Sequence, residues 1–296
     1  MQDLRAQQQT TWFLTLFLML LAVPAFADDA PQLRITGNAS DAVNSNIRAL
    51  VNLSRYPCEP PTAQFGLIRR QILANSQQAL QAMGYYESTL SLQTDQQDGC
   101  ARVTLDVNTG PAVILQRADI RISGDAANDP AFNQLVATAQ LAIGQRLQHD
   151  QYTSLKKNLQ QQLISRGYVQ GQLTRNQLSV DTRKRQATIT LHMDSGPRYD
   201  FGAITLIGSE LRDKLVDAYV SFHEGEPFDS KQLLETQQAF LGAGYFSAVR
   251  VQKGTPDDDS RTIPVSINLT DNNRWSLLAG VGASTGAPRN IGVVTD

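Results

Sequence analysis

In the stretch ARVTLDVNTG, Val103, Leu105 and Val107 alternate with Arg102, Thr104 and Asp106. That period of two predicts a strand with one buried and one wet face. The same alternation returns at Ile189, Leu191 and Met193 in ATITLHMDSG, and again at Ile263, Val265, Ile267 and Leu269. In the last of these Pro264 withdraws one backbone donor. A helical period precedes the second strand: Tyr152, Leu155, Leu159 and Leu163 fall on one face. Asp150 and Asp229 stand where a carboxylate can accept from the first free N–H groups of a helix, and Phe228 with Leu233 has the spacing of a hydrophobic staple.

These elements repeat. Helical runs stop at Gly-Tyr three times, at Gly84, Gly167 and Gly244, and short strands stop at a glycine three times, in LRITG, IRISG and ITLIG. Both markers recur at about 80 residues, longer than a solenoid period, so each copy is a small domain. Every copy reads strand, helix, helix, strand, strand. The first helix is clearest in DPAFNQLVATAQ and SELRDKLVDAYV and more polar in SDAVNSNIRALVNLS; Pro57, Pro60 and Pro61 break the link that follows. A glycine in the left-handed conformation ends a helix and lets the next aromatic pack back on it, so Tyr85, Tyr168 and Tyr245 are expected to be packing anchors. The fold class is α+β, with domains at 28–111, 112–197 and 198–271.

Residues 12–23 are apolar but too short for a membrane helix, which needs about 20. Ala25 and Ala27 suit a signal-peptidase site, so 1–27 is expected to be a cleaved leader, with the junction between Ala27 and Asp28. Export favours pairing of Cys58 with Cys100; a metal site is the alternative, though neither has a CxxC or a nearby histidine. A net charge of −2 with 18% charged residues disfavours a nucleic-acid binder. His149, His192 and His223 lie in three separate contexts without an HExxH, GxSxG or P-loop pattern, so no catalytic, metal or cofactor site is expected. Asp257, Asp258 and Asp259 read as a solvated turn.

The element order, the Gly-Tyr junctions, the glycine after each first strand and the period together resemble POTRA domains, the periplasmic modules of the outer-membrane assembly factor superfamily. The resemblance covers nearly all of 28–271. In RWSLLAGVGAS, Trp275, Leu277, Ala279, Val281 and Ala283 share one face, the alternation of a barrel strand. Residues 272–296 then leave room for one or two strands of an incomplete barrel, and the nearest branch is the translocation and assembly module. The resemblance implies unfolded outer-membrane protein clients, an inner-membrane-anchored partner of the TamB type, and a periplasmic place beside the outer membrane. It also implies that the second strand of each sheet is a free edge, which nominates Phe246, Val249 and Val251 for strand addition by a client. Arg250 and Lys253 leave open a second reading, an edge that charge merely protects. A periplasmic scaffold without translocation activity is the alternative function.

Overall fold

In a computed structural model of the chain, residues 31–59, 61–97, 100–139, 141–208, 214 and 218–272 are described. The expected leader with its Ala27/Asp28 junction and the expected barrel strand over 274–284 lie outside them, as does most of the first helix expected in the third copy. Three separate three-stranded sheets are present, each with its third strand in the centre. The chain divides into two compact units between Ala112 and Val113.

The first unit runs β1 (Gln32–Gly37), α1 (Asp41–Leu50), α2 (Thr62–Ala82), β2 (Thr89–Gln97) and β3 (Cys100–Asn108). β3 lies parallel to β1 and antiparallel to β2. Its alternation sends Val103, Leu105 and Val107 into a core with Val43 and Ile47 of α1 and Leu80 of α2. Ser40 caps α1 through the Val43 N–H. Cys58 and Cys100 are joined in a disulfide, so they are not thiolates available to a metal. Beside the bridge the Ala101 N–H donates to the Cys58 carbonyl at 3.0 Å.

The second unit holds two copies of the same sheet topology. One comprises β4 (Ile114–Ser123), α3 (Pro130–Thr138), α4 (His149–Ser165), β5 (Gln172–Asp181) and β6 (Gln186–Asp194). The other comprises β7 (Asp200–Ile207), α5 (Ser230–Gly242), β8 (Phe246–Lys253) and β9 (Thr262–Asp271). Tyr152, Leu155, Leu159 and Leu163 are the buried residues of α4. Pro264 is tolerated because its carbonyl, not its missing N–H, takes part in pairing, accepting from Gly254 at 2.7 Å.

The glycine at the end of the first strand answers a steric demand in the first and third copies. A Cβ on Gly37 would overlap the Val107 carbonyl, and one on Gly208 would overlap that of Leu269. The central strand passes too close for any side chain there.

Two expectations are corrected. Asp150 is not the cap of α4: the helix already starts at His149, Gln148 holds the cap position without a side-chain bond, and Asp150 accepts from the adjacent Gln151 N–H. Tyr245 is not an anchor: it is 66% exposed, whereas Tyr168 is buried and Tyr85 packs against the first core. After Gly84 and Gly167 a loop precedes the strand, and Tyr85 and Tyr168 donate back to the carbonyls of Leu80 and Leu163. After Gly244 the strand begins within two residues, so Tyr245 lies directly before β8, its carbonyl accepting from Asn272. Alternation then turns Phe246 inward, against Phe240 at 5.8 Å, and Tyr245 outward.

Candidate functional site

In the third sheet the order is β7-β9-β8, so β7 and β8 are both outer strands. They are not equally open. The first half of β7 is covered by the link that leads into α5. The Phe201 N–H donates to the Glu226 carbonyl at 2.7 Å, the Gly225 N–H to that of Phe201 at 2.8 Å, and the Phe228 N–H to that of Tyr199 at 3.0 Å. Further along, the Glu224 carboxylate accepts from the Ile204 N–H at 3.0 Å. β4 is covered in the same way by residues 144–147, where the Leu115 N–H donates to the Gln145 carbonyl and the Leu147 N–H to that of Val113.

β8 has no such cover among the described residues. Directly opposed residues of an antiparallel pair alternate between exchanging both backbone bonds and exchanging none. Gly254 donates to Pro264, and the register runs through Gln252 with Ser266, Arg250 with Asn268 and Ala248 with Thr270. Those three pairs therefore bond inward, and the backbone N–H and C=O groups of Val249, Val251 and Lys253 point outward.

The side chains behave differently from the backbone. Phe246 and Val249 are buried and belong to the third core, with Val251 packed against it. A partner strand would therefore meet Val249 and Val251 through their peptide groups and not through Phe246. Arg250 and Lys253 are exposed, so charge flanks the edge without covering it.

α5 packs against β8. One flank of α5 is tied to Ser221: the Ser221 N–H donates to Thr236 Oγ1 at 3.1 Å, and Gln232 Nε2 donates to the Ser221 carbonyl at 3.2 Å. At about 100° per residue, Leu234 and Leu241 lie on the opposite flank. They are 55% and 45% exposed. The open edge and this apolar flank were not joined by sequence reasoning. A period-3.6 scan limited to the buried face passes over the second, exposed leucine of the Leu233-Leu234 pair.

The histidines are not brought together. His149 begins α4, where burial chiefly lowers its pKa while Asp150 opposes the change. His192 faces Asp119 at 3.2 Å on the wet side of the second sheet, where a hydrogen bond from Arg121, foremost, holds the Asp119 carboxyl below its ordinary range. His223 contacts Glu226 at 3.2 Å. The acidic turn is more than a solvated loop: Asp257 accepts from the Asp259 N–H, and Asp258 accepts from the Tyr199 hydroxyl at 2.5 Å. Among the described residues no cluster of three or more metal-ligating side chains occurs.

Residues 32–109 match the family model described as POTRA domain TamA domain 1, and residues 199–272 match the POTRA model described as surface antigen variable number repeat. Solved structures similar to the chain include POTRA3-5 of BamA from Haemophilus influenzae, 17% identical, with a TM-score of 0.44, covering 83% of this chain and 100% of that one. POTRA1-3 of Omp85 from Anabaena is 15% identical, with a TM-score of 0.32, covering 82% and 95%. CdiB from Acinetobacter baumannii is 14% identical, with a TM-score of 0.34, covering 74% and 40%. Among the described residues no helix is long and apolar enough to cross a membrane.

Proposed function

We propose, from the premise that this chain carries POTRA domains at 32–109 and 199–272, that it forms the periplasmic part of an Omp85-family outer-membrane assembly factor of the TamA type. It works by binding, not catalysis. Its clients are unfolded outer-membrane proteins, autotransporters among them, and a TamB-like inner-membrane-anchored protein is its second partner. The TamA-type match at 32–109 supports that branch, as does the barrel-like alternation of RWSLLAGVGAS.

The observation that carries the client-binding reading is the contrast between covered β7 and open β8. An extended client segment lacks backbone partners, and β8 offers three residues whose donors and acceptors are unmet among the described residues, beside an apolar flank. Main-chain pairing supplies affinity without demanding a particular sequence, while Leu234 and Leu241 favour apolar side chains on the face turned toward α5. A receiver of many different outer-membrane strands needs that combination.

The test is Val249→Pro. Its N–H points away from β9, so proline removes a donor from the open edge and leaves the internal ladder intact. Photo-cross-linking of a client strand from Gln252 is expected to fall about tenfold, the effect of roughly 1.4 kcal/mol of lost binding. Undiminished cross-linking by a folded variant would sink the strand-addition reading. It would favour the scaffold alternative.

A further inference from the structure

Three helix ends meet between the second and third domains, all within the second unit. Arg166 follows the last turn of α4. Its Nε donates to Asp129 Oδ2 at 2.7 Å, and its Nη1 to Asp229 Oδ2 at 3.2 Å. The two carboxylates are the N-caps of α3 and α5: Asp129 accepts from the Ala131 N–H and Asp229 from the Lys231 N–H. One aspartate belongs to the second domain and the other to the third. A guanidinium at a helix C-terminus and carboxylates at two N-termini each also match the sign of the local helix dipole.

The surrounding contacts lead across the same seam. Tyr199, at the start of the third domain, donates its backbone N–H to the Gly167 carbonyl at 2.9 Å, and Ser230 Oγ donates to the Ser165 carbonyl at 2.8 Å. Arg198 donates to the carbonyls of Arg166 and Phe228 at 3.0 and 3.1 Å. Gln170 donates to the Tyr199 hydroxyl, which in turn donates to Asp258. The other Gly-Tyr junctions read MGY and AGY, so the arginine is special to the second copy.

We propose that Arg166 is a latch that locks the second and third domains into one rigid body, and so holds the β8 edge in a fixed orientation to the second domain. The latch does not depend on what β8 binds. Arginine suits the task because its planar fork can serve two carboxylates at once, which a lysine ammonium on a flexible stem does poorly.

The test uses the full chain with nitroxides on cysteines introduced at Gln177 and Gln252, both exposed; the native cysteines are bonded to each other and do not react. Pulsed dipolar spectroscopy reads the distance distribution between the two domains. Asp229→Asn is the informative variant, since asparagine still caps α5 but carries no charge for Arg166. The width of the distribution is expected to at least double in Asp229→Asn and in Arg166→Ala, with circular dichroism unchanged. Arg166→Lys is expected to fall between these and the parent. A distribution as narrow as the parent's in folded Asp229→Asn overturns the proposal. Should Arg166→Ala lose its fold, Asp229→Asn and Arg166→Lys still decide the matter.

Discussion

Gly167 and Gly244 share a motif and a left-handed backbone, with φ of 78° and 73°, yet they answer to different constraints. A Cβ on Gly167 would lie 2.8 Å from Phe228 Cβ and 2.9 Å from the Tyr199 carbonyl oxygen, whereas one on Gly244 meets nothing within 4 Å. Gly244→Ala is expected to cost about 1 kcal/mol, the left-handed penalty alone. Gly167→Ala adds overpacking at the domain seam and is expected to cost about 3 kcal/mol in urea denaturation. Asp129 makes a second residue-level prediction. Burial would raise its pKa, but bonds from Arg166, Ala131 and Tyr168 outweigh burial and leave it below 3.8. Tyr168, for its part, is pushed up to about 12 by burial and by Asp129. With a lowered folded pKa, the carboxylate's contribution is fully present above its unfolded value and is lost as pH falls through the folded one. The stability gap between the parent and Asp129→Asn should therefore be widest near neutral pH and shrink below about pH 4.

At the scale of elements, the central strands were legible because they bury one face of their sheet. Val103 to Val107, Ile189 to Met193 and Ile263 to Leu269 each carry a pure period of two, which only a half-buried strand requires. What covers an edge was not legible. β4 and β7 are protected by backbone groups of residues 144–147 and 225–228, and peptide groups look alike in every sequence. Tyr245 escaped for a related reason: its tripeptide matches the other two, but the onset of β8 within two residues of Gly244 decides which way it points. The latch escaped because Asp129 and Asp229 are each satisfied as ordinary helix caps in sequence, and only packing aims both at Arg166. The open-edge assignment makes its own prediction. Amide hydrogen exchange along β8 should alternate, with Val249, Val251 and Lys253 exchanging about tenfold or more faster than Ala248, Arg250 and Gln252. Uniform protection along the strand would mean that the edge is covered.

For the whole molecule, the Cys58–Cys100 bridge lies entirely in the unit that ends at Ala112, while the Arg166 network lies entirely in the unit that begins at Val113. The two units thus rely on different devices. In the first, the bridge ties the link between α1 and α2 to the start of the central strand β3, across a sequence separation of 42. Closing a loop of that length removes unfolded-state entropy worth about 4 kcal/mol, a large share of the stability of so small a domain. Nothing equivalent ties the second unit, whose charged seam is indifferent to thiol reagents. Reduction of the full chain should therefore lower the unfolding temperature of the 32–109 domain by ten degrees or more, at about 4–8 °C per kcal/mol, and leave the transition of 113–272 where it was. Calorimetry with and without reductant separates the two. A shift of both transitions together would mean that the first unit unfolds only in concert with the second, and the bridge would then stabilise the entire string of domains.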